Sequence, residues 1–214
     1  MLTRKLLSVQ AGKPENLTTD GKTWRSAIFK TPLTGRVFVG TENIAGDKQA
    51  NLRFHGGPQM AVCCFSSEYY PHWAARVGAG ENFPFGALGE NFTLVGSLDD
   101  EVCIGDVFEI GLAQVQVSQP RQPCINLARK WNCPEMPEEM IELGHTGFYL
   151  RVIKEGEVGA GDSMAMLARP NPDITIKTVI DAKFRKFGGG ELASELVNLP
   201  ELAETWQRTF GKRL

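Results

Sequence analysis

A thiol set in a proline-stiffened bend is the feature of this chain best suited to chemistry. The segment QVSQPRQPCINL (116–127) opens with strand-like alternation, then meets Pro120, Arg121, Gln122 and Pro123 before Cys124. The two prolines remove backbone donors and narrow φ, so the segment cannot continue as a central strand and must leave it in a stiff shape. Arg121, three residues earlier, favours the thiolate, the form that attacks electrophiles and ligates metals. Two readings stand open on these residues alone: a buried filler thiol and a presented thiolate.

The other chemical groups are less distinctive. Cys63 and Cys64 are neighbours in an apolar run, so they point to opposite faces of a strand, and both are expected in the core. Cys103, between Val102 and Ile104, belongs to the core too, and Cys133 before Pro134 is expected in an exposed loop. Five cysteines without a C-x-x-C pair argue against a disulfide framework. His55, His72 and His145 do not fall at zinc-ligand spacings. In HGGPQ (55–59), Gly56 and Gly57 either allow close backbone approach to a ligand or simply permit a tight turn. GALGEN (86–91) is a similar signal, and its Glu90 and Asn91 bring hydrogen-bonding groups. The glycines at 188–190 follow no strand and carry no phosphate-loop lysine, so they read as a helix connector.

The elements that must position these groups are mainly strands in the first part of the chain. KLLSVQAGKP (5–14) and GRVFVGTENIAGD (35–47) read as strands closed by turns, and MAVCCFS (60–66) as a buried strand. SSEYYPHWAARVG (66–78) reads as a helix capped by Ser67, with Pro71 in its first turn. A glycine-rich loop (81–91) precedes strands at NFTLVG, DVFEIGLAQ and QVQVSQ. PEEMIELG (137–144) is a short helix stopped by Gly144. Two strands around a Glu155-Gly156 turn complete this part. Pro170 and Pro172 mark a linker, with Asp173 as the expected cap of the first of three amphipathic helices. Pro200 is expected at a helix start and Gly211 at a helix end. The fold is therefore read as mainly β with α: a β-rich domain over 1–168 and a three-helix extension over 169–214.

Bulk properties set the class. A net charge of −2 gives no global basic excess for a nucleic-acid polymer or an anionic membrane surface. The basic stretches at 182–186 and 211–214 read as solvated helix faces. No apolar run approaches the roughly 18 residues that span a bilayer, and the apolar stretch in MLTRKLLSVQAGKP is too short for the hydrophobic region of a signal peptide, so a cytoplasmic location is expected.

Taken in order, ENIAGDKQANLRFHGGPQMAVCCFS, GENFTLVGSLDDEVCIGDVFEIGLAQVQVSQPRQPC and TGFYLRVIKEGEVGAGD resemble the MOSC family, the domains related to the C-terminal part of molybdenum-cofactor sulfurase. The likeness runs from about residue 30 to 168, and the helical tail is similar to the extension of a bacterial branch that confers resistance to hydroxylaminopurine base analogues. What the resemblance implies is a β-barrel domain that holds a molybdenum–pyranopterin cofactor. Its R-x-P-C motif lands on Arg121 and Cys124, making Cys124 the protein ligand to molybdenum. A basic position in an early strand lands on Lys30, the H-G-G turn on His55, Gly56 and Gly57, and the G-E-N turn on Gly89, Glu90 and Asn91. Asn126 departs from the pattern, since relatives often carry lysine there, which would remove one contact to the cofactor's anionic groups.

The implied activity is reduction of N-hydroxylated compounds, such as hydroxylaminopurine, with Cys124, Arg121 and His55 at the reaction centre. His55 or Glu90 would supply the proton, and Arg121 and Lys30 would anchor cofactor phosphate. Without an NAD(P) or flavin motif, electrons are expected from a separate flavoprotein. Two alternatives stay open: a sulfur carrier using a Cys124 persulfide, and a cofactor carrier without turnover. Leu202, Trp206 and Phe210 would pack on the barrel or make a homodimer contact, so monomer and homodimer both remain.

Overall fold

A computed structural model describes residues 4–19, 21–53 and 55–214. The chain opens with β1 (Lys5–Ala11), a hairpin of β2 (Glu15–Thr19) and β3 (Lys22–Ser26), and the short β4 (Thr31–Pro32) and β5 (Val37–Val39). Strand β6 (Val62–Ser66), helix α1 (Tyr70–Arg76) and β7 (Phe92–Val95) form a crossover, so β6 and β7 are the parallel pair in a sheet whose other described pairs are antiparallel. Then come β8 (Val107–Ile110), β9 (Ala113–Pro120), α2 (Ile125–Trp131), α3 (Met136–Leu143), β10 (Phe148–Lys154), β11 (Gly156–Val158) and β12 (Met164–Ala168). Helices α4 (Ile176–Phe184), α5 (Gly189–Val197) and α6 (Glu204–Gly211) end the chain.

The main sheet has eight strands in the order β12-β8-β9-β10-β6-β7-β1-β4. It curls until β1 meets the start of β12: Met164 N–H donates to the Arg4 carbonyl at 3.0 Å, and Leu6 N–H to that of Asp162 at 2.9 Å. Strand alternation drives the curl, because inward residues such as Val115 and Val117 of β9 are buried beside Phe92, Phe108 and Phe148. Each such phenylalanine contributes roughly 1.5–3 kcal/mol through burial. Ile176, Val179, Leu196, Trp206 and Phe210 join the barrel side chains in one apolar cluster, so the terminal helices cover the barrel. A second cluster packs Trp73, Leu127, Met136 and Met140 of α1–α3 against Leu88. Among the described residues no helix is long and apolar enough to cross a membrane.

The architecture matches the β-rich barrel and helical tail expected from the residues, with local corrections. Ser67 does not cap α1, whose N-cap is Tyr69; a 3-10 turn, Ser67–Tyr69, precedes it, and the hydroxyl of Ser66 donates to Glu68 at 2.6 Å. Asp173 does not cap α4 either: Thr175 does, accepting from Thr178 N–H at 3.0 Å. Pro200 lies in a turn before α6, which starts at Glu204. Glu155-Gly156 is not a hairpin turn, because β10 pairs with β9 and β6 while β11 pairs with β5. Cys133 is buried, 5 % exposed, under the second apolar cluster. The hairpin β2–β3 and helix α2 carried no clear sequence signal, since neither shows a sustained apolar period.

Candidate active site

Strand β9 stops at Pro120, and the bend through Arg121, Gln122 and Pro123 delivers Cys124 to the start of α2, where it is the N-cap residue in an extended conformation. A cavity of about 580 Å³ opens there. Its wall comprises residues 24–28, 30, 47–51, 55 and 56, together with Met60, Cys63, Gly89, Asn91, Arg121–Asn126, Arg129 and Tyr149.

Cys124 is partly exposed. Burial alone would raise its pKa, but a hydrogen bond from His55, the Arg121 charge and the Asn126 backbone N–H together bring the thiol down to about 7. Near neutral pH, about half of this thiol is thiolate. Arg121 is 6 % exposed and anchored twice: its N–H donates to the Gly147 carbonyl at 2.9 Å, and Nη2 donates to the Leu88 carbonyl at 2.6 Å. Its Nη1 is buried without a hydrogen-bond partner. A buried charged donor left unpaired is costly, so this nitrogen is suited to an anionic ligand. Gly147 must be glycine, because at φ +72° a Cβ would stand 2.3 Å from the Cys64 carbonyl oxygen.

The structure brings Cys124, Arg121, His55, Gly56, Lys30 and Asn91 to this cavity and leaves Glu90 and Gly57 outside its wall. Lys30 is in a loop rather than a strand, and its amine is ion-paired with buried Asp47, which also accepts from Gly12 N–H at 2.8 Å. Its charge is therefore partly neutralised by the protein itself. Glu90 is fully buried; it accepts from Gly86 N–H at 3.0 Å, Leu88 N–H at 3.1 Å, the Thr93 hydroxyl at 2.9 Å and the Tyr70 hydroxyl. Its oxygens are committed to holding the 86–90 loop, which corrects its expected place as cofactor contact or proton source. Gly57 instead starts the 3-10 turn Pro58–Met60. Asn91 bridges strands, accepting from Cys63 N–H at 3.1 Å and donating to the Gln10 carbonyl at 3.2 Å.

Several wall residues escaped sequence reading. Tyr149 and Cys63 are paired across β10 and β6, so their side chains share a face, and their hydrogen bond to each other opens onto the cavity. Burial keeps both of these groups protonated, Cys63 rising above the ordinary thiol range. Trp24 and Arg25 come from β3, Lys48 from a loop, and Arg129 from α2. Arg129 lies one helical turn beyond Asn126, whose Oδ1 accepts from it at 3.3 Å, so this wall keeps a cation although position 126 has none. Arg25, Lys30, Lys48, Arg121 and Arg129 face the single carboxylate Asp47 in the wall, giving a positive cavity in a chain of net charge −2.

No group of three or more His, Cys, Asp or Glu side chains that could hold a metal occurs among the described residues. A metal suited to this cavity would take Cys124 as its protein ligand and bring its remaining ligands with it. A soft thiolate, a buried unpaired guanidinium nitrogen and a cationic wall fit a metal carried on an anionic, phosphate-bearing organic ligand.

Residues 51–165 match the family model of the MOSC domain. The chain is 38% identical over 208 residues to YflK, an uncharacterised protein of Bacillus subtilis, covering 97% of this chain and 93% of that one. A Gibberella moniliformis protein named "Reductase" is 34% identical over 176 residues, 81% of this chain but 31% of its own length. The crystal structure of YiiM from Geobacillus stearothermophilus superposes with a TM-score of 0.83 at 34% identity, covering 99% of both chains.

Proposed function

The chain belongs to the MOSC domain family, and from that membership we propose that it is a molybdenum-cofactor-dependent reductase of N-hydroxylated compounds, including base analogues such as hydroxylaminopurine. The observation that carries this reading is the juxtaposition of the Cys124 thiolate, at about pKa 7, with the buried unpaired Nη1 of Arg121 in one cationic cavity. The naming of a relative as a reductase supports redox chemistry in the same family.

Cys124 is the protein ligand to the metal, and Arg121, Arg25 and Lys48 hold the anionic part of the cofactor. When bound, the cofactor supplies the two electrons for R–NHOH + 2e⁻ + 2H⁺ → R–NH₂ + H₂O. This chain's residues do the rest. Gly89 lets the 86–90 loop pack closely, since a Cβ at its φ of +80° would stand 2.7 Å from Ile28 Cγ1, and Pro123 fixes the direction of the thiolate. His55, hydrogen-bonded to the Cys124 sulfur, holds the proton nearest the reacting end of the cavity. The electrons come from a separate flavoprotein, and the setting is the cytoplasm. The chain divides functionally at 168/169, the barrel carrying the site and the helices bracing it.

The test is metal and pterin analysis of protein from a molybdenum-replete host, followed by hydroxylaminopurine turnover with an artificial donor. Stoichiometric molybdenum that disappears in Cys124→Ser, together with turnover, is the expected result. The low-pKa, partly exposed Cys124 also suits a persulfide carrier. A persulfide on metal-free protein would establish that second reading, and an inert molybdenum-loaded protein would leave carriage alone.

A further inference from the structure

Two basic stretches, AKFRK (182–186) and GKRL (211–214), take no part in the cavity, and neither contains an acidic residue. The fold brings them together. Arg213 donates from Nη1 to the Ala182 carbonyl at 2.8 Å and from Nη2 to the Lys183 carbonyl, which lays the last residues over the end of α4. Lys183, Arg185, Lys186, Lys212 and Arg213 thus gather at one end of the helical extension, in a chain of net charge −2. Little of this charge is neutralised. Lys183 Nζ donates to Gln122 Oε1 at 2.8 Å, and Arg213 is held by carbonyls, all of them uncharged acceptors. Arg185 lies 3.5 Å from Asp181, but Lys177 draws on that same carboxylate. Lys186 and Lys212 are exposed and carry no ion pair among the described residues. Phe184 and Phe187, 39 % and 62 % exposed, alternate with these cations along the chain. Leu143, also exposed, adjoins them, because Arg185 donates to the carbonyl of its neighbour Glu142. Exposed apolar side chains set among charges of one sign mark an interaction surface rather than a merely solvated helix face. The surface also reaches the site: Gln122, which accepts from Lys183, is in the cavity wall two residues before Cys124. Two Cα steps span at most about 7.6 Å.

We propose that this basic, aromatic end of the helical extension is the docking surface for an acidic flavoprotein that delivers electrons to the Cys124 cavity. The need for electrons rests on the reductase reading, since the chain has no NAD(P) or flavin motif of its own. A flavodoxin hydroquinone anion gives up one electron and becomes the neutral semiquinone. Two such molecules and two protons therefore serve each R–NHOH, leaving R–NH₂ and water. The clustered cations set a local field opposite in sign to the net charge, which steers an acidic protein to this face and no other. Phe184 and Phe187 supply the apolar contact that holds it there. A phosphate polymer would use the cations but has no need of the phenylalanines or of a place beside the cavity.

The probe is a bacterial flavodoxin, a small acidic protein that carries FMN, titrated by calorimetry into the cofactor-loaded protein. Saturable binding is expected, and it should weaken about 10-fold as salt rises from about 0.01 to about 0.1 M and the screening length falls from about 30 to about 10 Å. Lys186→Glu/Lys212→Glu breaks no ion pair and should weaken binding about 10-fold or more, with a smaller loss in Phe187→Ser. Carbodiimide cross-linking with peptide mapping should join flavodoxin carboxylates to Lys183, Lys186 or Lys212. In turnover, the ratio of flavodoxin-driven to viologen-driven N-hydroxyl reduction should fall in the double variant by the same factor as binding. No flavodoxin binding, binding that the double variant leaves unchanged, or cross-links confined to other lysines would overturn the docking surface. So would capture of a short DNA duplex or of phosphatidylglycerol vesicles by these residues without flavodoxin binding. A loaded protein that turns over with neither donor defeats the reductase reading instead, and the flavodoxin titration still decides the surface.

Discussion

On the inner side of the cavity, Arg121 and Asn91 are buried and tied to backbone groups of segments distant in sequence, and neighbouring Glu90 is fully buried. On the outer side, Arg25 and Arg129 are exposed, and Trp24 belongs to a two-stranded hairpin held to α2 by the Asn126–Ser26 hydrogen bond. The inner side is largely pre-ordered: apart from the unpaired Arg121 Nη1, its polar groups are held by protein donors and acceptors, so the Cys124 sulfur is positioned before any ligand arrives. The outer side has fewer fixed contacts and can vary without unfolding the barrel.

The largest effect that would sharpen this contrast is on stability. Glu90→Ala leaves the Gly86 and Leu88 N–H groups and two hydroxyls without their acceptor. The expected cost is about 3–5 kcal/mol, read as a lower urea midpoint with unchanged slope. A cost below 1 kcal/mol would break the comparison, because the inner wall would then tolerate change as the outer one does.

The next effect is on reactivity. The iodoacetamide rate of the cofactor-free protein should rise with pH through about 7, because the reactive thiolate forms above the Cys124 pKa. Removing the hydrogen bond in His55→Ala shifts that midpoint upward, toward the ordinary thiol value near ~8.5. Cys124→Ser should abolish the fast phase entirely, because burial keeps the Cys63 thiol protonated in this range. A fast phase that survives in Cys124→Ser would assign the reactive thiolate elsewhere.

The smallest effect is expected at the outer wall. Trp24→Ala removes a half-buried ring packed on the edge of the second cluster, for an expected cost of about 1–2 kcal/mol, well below that of Glu90→Ala. Equal costs in the two variants, measured by the same urea titration, would place Trp24 in the core rather than at the edge of the cavity.

Cys63 and Cys124 show where sequence reading stopped. Both line the same cavity, yet one thiol is raised and the other lowered. The prolines and Arg121 beside Cys124 are local, and they were legible as a stiff, thiolate-favouring bend. Cys63 looked like core because its run is apolar, and only its pairing with Tyr149 shows that it faces the cavity. Glu90 erred in the opposite direction: a carboxylate after a glycine turn suggested a contact with ligand, and its four donors lie inside the protein. The absence of a basic residue at position 126 was legible, but the replacement charge at Arg129 depended on the phase of a helix that lacked an apolar period.

The sequence by itself determined the barrel's inward strands, the helical tail and the one cysteine held by prolines, because these depend on short-range periodicity and on restricted φ. Only the tertiary structure decided that His55, sixty-nine positions before Cys124, donates to its sulfur, that Asp47 pairs with Lys30, and that Trp24 joins the wall. These contacts are long-range. They depend on how far the sheet curls and which strands pair, and no local pattern of residue types encodes either.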